Sequence, residues 1–471
     1  MTGKPIARRL TRRRFLTQVS QGALLASIAG GRLAKASTIC TPGTNPCSMR
    51  LAASDGHFVL PGRGDPNAPA DPFGHHGPIY GFGFVEPDPS ETPNEFAGNH
   101  KGKMQWPAPT IAVDEDDEMF LSLTNLGMAV RIDLTDSHTV HWHGFRLPLS
   151  VFDGVPEVSI AVPIAREFTY FYPPRAAGTY MYHCHFEDVE HVQMGMQGIV
   201  FVRPKQNKGP DAVPPAPVPK TRLGGNPAST TLGYAYNDGD GSTAYDREFT
   251  LLLNEVWTRE HDEGEAIQEH DHTDYQPDYW IINGRSYPHT ILRNGDPAEF
   301  SALAVGDDPY APRDPIDSPG PGDNPGSIRQ PISSLLQVNA GERVLLRFVN
   351  LGYQQHAMQL PGVAMKVIGE DSILLRGPAG DDLSYRTNTV YIGPGESRDV
   401  LFTAPAFDGT ASQTDLLFAG ASYNKYLLMD RNVDHLNNNG APGLGGMATE
   451  MWIYPVDTLP DQTAPNQTYI S

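Results

Sequence analysis

The sequence predicts an all-β protein built from a duplicated β-sandwich. Three observations carry that prediction. Hydrophobic residues make up 39% of the 471 positions, beside 47 Gly and 43 Pro, a mix that suits short strands and many turns. Short β-branched and aromatic runs bounded by Gly, Pro and Asn recur along most of the chain. Finally, "EMFLSLTNLG" (Glu118–Gly127) returns as "RVLLRFVNLG" (Arg343–Gly352), each followed by a His-containing segment, which implies two copies of roughly 150–200 residues.

The chain opens on residues 1–36, with eight basic residues and no acidic one. "TRRRFLT" (Thr11–Thr17), the apolar "GALLASIAGG" and the small-residue "AKA" ending at Ala36 read as a secretory signal that resembles the twin-arginine type. An ordinary secretory signal is the alternative. Its removal would deepen the formal charge from −20 to about −28, which argues against nucleic acid or anionic membrane partners. No other stretch approaches eighteen uninterrupted apolar residues, so no mature transmembrane helix is expected. Export allows a disulfide between Cys40 and Cys47 and leaves Cys184 alone.

Residues 37–203 form the expected first domain. Residues 37–100 read as an irregular lead-in with a first strand near "HFVLPG"; strands follow at "PTIAV", "EMFLSLTNL", "AVRIDLT", "REFTYFY", "GTYMYHC" and "QGIVFVRP". Residues 204–245 are a Pro-rich linker. The second domain, 246–457, has strands at "REFTLLLNEVW", "YWIINGRSY", "ERVLLRFVNL", "NTVYIGPGESRDVLF", "TDLLFAGAS" and "EMWIYP", with an inserted loop at 305–330. Residues 458–471 are a tail.

The chemistry concentrates in "HTVHWHG" (His138–Gly144) and "GTYMYHCHFEDVEHVQMGM" (Gly178–Met196). Strand side chains alternate faces, so His141 and His143 share a face and His138 points away. By the same parity His183 and His185 share a face and Cys184 opposes them. Two sets follow, His138 with Cys184, and His141, His143, His183 and His185 behind them. A loop returning through His191 and Met196 completes the first set. Two imidazoles, a thiolate and a weak axial thioether fit a type 1 copper site. Peptide bonds link Cys184 to His183 and His185, a short covalent route between the two sets.

These two motifs resemble the copper-binding motifs of the multicopper oxidases. "WPAPTI" (Trp106–Ile111) resembles that family's first-domain strand, and "VNLGYQQHAMQLPG" with "IGPGESRDVLF" its degenerate domains. The resemblance implies two cupredoxin-like Greek-key sandwiches in tandem. It implies type 1 copper ligands at His138, Cys184, His191 and Met196, and type 2 and/or type 3 copper ligands at His141, His143, His183 and His185. It also implies Cys184, His183 and His185 as the electron path, a small-molecule or metal-ion donor, and dioxygen as acceptor. The family's cluster takes eight histidines, and the second half shows only His356 and His435 where pairs are due. "EHDH" (Glu269–His272) reads as a solvated loop, and His75, His76 and His100 as surface residues. His356 is expected as a core histidine satisfied by backbone, the alternative being that it resembles a second-domain catalytic-type histidine of the copper nitrite reductases. The spacing also resembles copper nitrite reductases, with His143 and His183 as ligands at a subunit interface. The alternatives to an oxidase are therefore such a type 1/type 2 enzyme, or a non-enzymatic electron carrier. A homo-oligomer and a periplasmic or extracellular location are expected. Glu187, Asp188 and Glu190 in the copper loop are either a solvated acidic surface or a steering patch for a cationic donor.

Overall fold

The computed structural model describes residues 37–40, 45–62, 78–88, 90–208, 233–265, 271–294 and 330–469. The expected signal, His75, His76, most of the expected linker, His270 and nearly all of the inserted loop lie outside these residues.

The first half folds as two packed sheets. Its strands are β1 (Ser37–Ile39), β2 (Cys47–Phe58), β3 (Ile79–Val85), β4 (Thr110–Asp114), β5 (Met119–Asn125), β6 (His141–His143), β7 (Glu167–Tyr172), β8 (Gly178–His183) and β9 (Gln197–Arg203). One sheet runs β1-β4-β9-β8-β6 and the other β3-β2-β5-β7. In β5, Met119, Leu121 and Leu123 face inward while Phe120, Ser122 and Thr124 alternate outward, the signature of a half-covered strand. β8 is buried along its whole length because both its faces are covered. Tyr180 and Tyr182 enter the sandwich core. Met181 instead packs with Ile199 against Leu252, Val349 and Leu351 of the second half.

The second half carries β10 (Gly233–Tyr234), β11 (Ala244–Tyr245), β12 (Arg247–Val256), β13 (Tyr279–Ile282), β14 (Leu336–Asn339), β15 (Arg343–Asn350), β16 (His356–Gln359), β17 (Met365–Glu370), β18 (Ile373–Leu374), β19 (Tyr385–Thr387), β20 (Thr389–Ile392), β21 (Ser397–Thr403), β22 (Gln413–Asp415), β23 (Ala421–Asp430) and β24 (Ala448–Tyr454). One sheet runs β13-β12-β15-β21-β17-β18 and the other β14-β24-β23-β16-β20. Leu346, Phe348, Met358, Val400 and Met451 fill the space between them. The order β14-β24-β23-β16 repeats β4-β9-β8-β6, and both orders begin with a parallel pair.

Three helices are described, α1 (Pro93–His100), α2 (Asp188–Met194) and α3 (Thr258–Gly264). Thr92 and Glu95 form a capping box at the start of α1. Cys40 and Cys47 are disulfide-bonded, tying the end of β1 to the start of β2. Among the described residues no helix is long and apolar enough to cross a membrane.

Three expectations are corrected. The lead-in is ordered structure, since β2, β3 and α1 occupy much of it. "AVRIDLT" is not a strand, because the Asp55 carboxylate takes the backbone N–H groups of Ala129 (2.6 Å), Val130 (2.8 Å) and Arg131 (3.4 Å) that a ladder would need. "TDLLFAGAS" is broken by a turn in which Asp415 accepts from the N–H groups of Leu417 (3.0 Å) and Phe418 (3.2 Å).

Glycine lets β3 approach the ligand loop. A Cβ on Gly81 would stand 2.7 Å from the Met194 carbonyl at the end of α2. Gly81→Ala should lower stability by about 1–3 kcal/mol, read as a lower denaturant midpoint. Gly98→Ala, in α1 with nothing within 4 Å of the new Cβ, should have the opposite sign.

Candidate metal centres

β8 ends at His183, so Cys184 leaves the sheet where α2 can close over it. The Cys184 N–H donates to the Met196 carbonyl (3.0 Å), and the Met196 N–H to that of His191 (2.9 Å). These bonds turn the chain back after one short helix, where the sequence reading placed a loop. Gly195 makes the turn at φ 120°, with the Phe82 carbonyl 2.8 Å from where a Cβ would lie. From the other side, His138 is held by paired backbone bonds with Val162 (3.1 and 2.8 Å).

The result is a sealed cluster. Nδ1 of His191 lies 3.3 Å and Nδ1 of His138 3.9 Å from Cys184 Sγ, and all three residues are fully buried. Nε2 of each ring has no hydrogen-bond partner. Burial, with the neighbouring His191, holds His138 neutral, and burial lowers the pKa of His191 to about 3. Burial pushes the Cys184 thiol up to about 11. A thiol this buried, between neutral rings, is no activated nucleophile. Two imidazole lone pairs and one sulfur converging in a dry pocket do fit a soft or borderline metal ion such as copper. Met196 is fully buried in the same core and joins Cys184 to His191 through its backbone.

The second cluster lies one peptide away. His141 pairs with His183 across β6 and β8. His141, His143 and His183 each offer a ring nitrogen within 4.8 Å of the others. His185 stands beside them, its ring 5.2 Å from His141 and 5.6 Å from His183. Nδ1 of His141 donates to the Asp153 carbonyl (2.7 Å), and Nδ1 of His183 to the Cys184 carbonyl (2.8 Å). Each bond sets the tautomer that leaves Nε2 as the free lone pair. Burial lowers His183 to about 3, with the His141, His143 and His185 rings adding to it. The Nε2 lone pairs that these bonds leave free on His141 and His183 suit copper as they stand.

Strand register explains the second-half histidine deficit. Gln359 pairs with Met429 across β16 and β23, as His141 pairs with His183. Counted from those pairs, Gln359, Pro361, Met429 and Arg431 stand where the first half has His141, His143, His183 and His185. His356 stands at the position of His138, and Asp430 at that of Cys184. Asparagine repeats confirm the match. Asn125 Nδ2 donates to the carbonyls of Asp136 (2.8 Å) and Val162 (2.9 Å), and Asn350 Nδ2 to those of Gln354 (2.8 Å) and Ile392 (3.4 Å). Asp136 and Gln354 each precede the matched histidine by two, and Val162 and Ile392 are its strand partners.

His356 is satisfied by two carboxylates and not, as its sequence context predicts, by backbone. Nδ1 lies 2.8 Å from Asp430 Oδ2 and Nε2 2.7 Å from Glu255 Oε1. Burial alone would lower its pKa, but the two carboxylates outweigh burial and raise it to about 9. His435 Nδ1 also reaches Asp430 Oδ2, at 2.7 Å. Neither carboxylate carries a ligand signature in the sequence. His272 lies 3.6 Å from Glu260, and His100 2.8 Å from Glu91; neither belongs to a ligand group among the described residues.

Paired β-sandwiches with a buried His–Cys–His cluster, backed by a second histidine group, define a protein of the copper-binding cupredoxin class. The sequence models of the multicopper oxidase family match residues 101–207 and 247–412, together more than half of the chain. The chain belongs to the multicopper oxidase family. Laccase-1 of Emericella nidulans is 33% identical over 114 residues, which cover 24% of this chain and 16% of that protein. Laccase-19 of Oryza sativa subsp. japonica is 24% identical over 306 residues, covering 64% of this chain and 38% of that one. The chain thus matches under two fifths of the length of either relative. In fold it is similar to the blue copper oxidase of Nitrosomonas europaea, with a TM-score of 0.53 at 22% identity over 87% of this chain and 86% of the other.

Proposed function

We propose that the chain is a copper-dependent oxidoreductase that takes electrons from a small-molecule or metal-ion donor and delivers them to dioxygen. His138, Cys184, His191 and Met196 would hold a type 1 copper, and His141, His143, His183 and His185 the type 2 and/or type 3 copper. Copper would supply one-electron chemistry at the first set and acceptor reduction at the second. The observation that carries the reading is the shared backbone. His183 and His185 flank Cys184, and the His183 ring is bonded to the Cys184 carbonyl, so the two clusters are joined covalently and by a hydrogen bond. A simple carrier has no use for the second group.

On the donor side, Glu187, which precedes α2, and Asp188, its first residue, are exposed next to the buried His191. They would attract a cationic donor. We further assign residues 1–36 as a twin-arginine signal, residues 37–203 and 246–457 as the two domains, and a periplasmic or extracellular location. The missing histidines favour an oligomer in which a neighbouring copy completes the second site.

One observation supports a second reading. Three imidazoles, those of His141, His143 and His183, already converge within one chain, and the matching second-half positions offer no imidazole. That arrangement suits a single type 2 copper, as in a nitrite-reductase-like enzyme. Copper stoichiometry with optical and electron paramagnetic resonance spectra separates the readings. Four coppers, including a spin-coupled pair, and oxygen uptake are expected for the oxidase. One blue and one normal copper would replace it with the second reading, and one blue copper alone would overturn both. His141→Ala should keep the blue absorption and lose acceptor reduction.

A further inference from the structure

The second sandwich carries a cluster that the proposed function does not use. His356, Asp430 and His435 are buried, with one potential ligand atom from each within 4.8 Å of the others. They repeat the first site's layout. In each half one histidine lies just before the paired residues of the inner strands, one residue stands at the end of the partner strand (Asp430) or directly after it (Cys184), and a second histidine comes from a helical turn beyond it. Both Nδ1 atoms converge on Asp430 Oδ2, as both converge on Sγ in the first half.

We propose that His356, Asp430 and His435 form a second, non-blue metal site for a borderline divalent cation of the zinc, cobalt or copper(II) type. With oxygen in place of sulfur, the donor set no longer suits copper(I). Two further features support a cation here. Glu255 lies 2.7 Å from Nε2 of His356, where an outer carboxylate orients a histidine that binds metal through Nδ1. The cluster also lines a cavity of about 520 Å³ together with Gln354, Tyr391 and Asn432, which gives a hydrated ion a way in. The first site is sealed by comparison.

Binding has a local cost. Asn432 Nδ2 donates to Nε2 of His435 (2.9 Å), while its Oδ1 accepts from the Asp434 N–H (3.1 Å). The amide must rotate so that its oxygen accepts the Nε2 proton, freeing Nδ1 for the ion, and His356 must release its Nδ1 proton to solvent while its Nε2–H stays on Glu255.

The test uses the full-length chain carrying Cys184→Ser and His141→Ala, which disables both first-half clusters, with Co²⁺ as the probe. The folded double variant should bind one equivalent of Co²⁺ with ligand-field bands and no sulfur charge transfer. Adding Asp430→Asn should weaken binding at least about tenfold, since a first ligand is worth no less than an outer one. Adding Asp430→Cys instead should introduce a sulfur-to-cobalt charge-transfer band. No uptake by the folded double variant, uptake unchanged by Asp430→Asn, or a folded Asp430→Cys chain without that band would each overturn the proposal. Cobalt held by the remaining His143, His183 and His185 would not respond to Asp430→Asn and would gain no sulfur band from Asp430→Cys, so the Asp430 variants read the second site alone.

Discussion

Cys184→Ser is expected to abolish the intense thiolate-to-copper absorption of the copper-loaded chain and to reduce turnover with any donor to the metal-free background. The fold should survive. A serine hydroxyl would meet the Thr139 N–H, now 3.4 Å from sulfur, and the Phe186 carbonyl, 3.5 Å away, so the buried polar group stays satisfied. What is lost is the soft anionic donor. A hydroxyl remains protonated where the metal would take the thiolate, so the site keeps two imidazoles and forfeits its preference for copper. The route to His183 and His185 loses its sulfur as well. Cys40 and Cys47 are disulfide-bonded, so Cys184 is the only thiol available to give the band. Copper should also stop protecting the fold. A ligand at a hundred times its Kd raises stability by about 2.7 kcal/mol, and that increment in thermal midpoint should shrink in the variant. A blue band that survives in Cys184→Ser would remove the first cluster from the mechanism.

Which parts of this arrangement could be read in advance follows from period-two geometry. In "HTVHWHG" and "YHCH" the residue types are unusual and lie on strands or at strand ends, so alternation alone divides them into two sets. The same rule has little to act on in β2. Its "LAASDG" stretch is made mostly of small residues and is buried on both faces, so no alternation of polarity marks it. The apolar run at Leu416–Phe418 misleads for the opposite reason. Leu416 is 86% exposed because a side-chain-bonded turn, not burial, shapes the segment. Asp430 and Glu255 escape notice because a single acidic residue carries no ligand signature. Their role depends on pairing with a histidine 74 and 101 residues away. The "NLG" repeat held the needed signal. Aligned on Asn125 and Asn350, the parallel partners place Asp55 opposite Glu255, and both are buried carboxylates that accept loop N–H groups. The loop after Gly352 is much shorter than the one after Gly127, and this brings His356 into reach of Glu255.

Arg347→Met is expected to destabilise the chain by about 3–5 kcal/mol, the usual cost of removing one partner from a buried ionic network. Arg347 is fully buried on β15. Its Nε lies 3.0 Å from Glu248, and its Nη1 lies 2.9 Å from Thr179 Oγ1 and 3.5 Å from Asp399. The guanidinium also covers the Phe201 ring at 4.6 Å. The network therefore joins β8 and β9 of the first sandwich to β15 and β21 of the second. Without the guanidinium, Asp399 keeps the Thr179 hydroxyl (2.6 Å) and the Tyr236 hydroxyl (2.5 Å) but loses its countercharge. Arg347→Lys should fall between the two, since it keeps the charge and loses the fork. Pairing Arg347→Met with Asp399→Asn should recover part of the loss, because no lone buried charge remains at that end. Denaturant midpoints at constant m measure all four chains. A loss below about 1 kcal/mol for Arg347→Met would mean that the network is solvated in practice and that apolar contacts such as Met181 against Leu252 join the sandwiches. The functional consequence runs along β8. Thr179 stands near its start and His183 at its end, so loosening this joint moves His183 relative to His143, which faces Gly395 of the second sandwich. The blue absorption, set within the first sandwich, should persist in Arg347→Met, whereas acceptor reduction, which depends on the histidines beside the joint, should fall first.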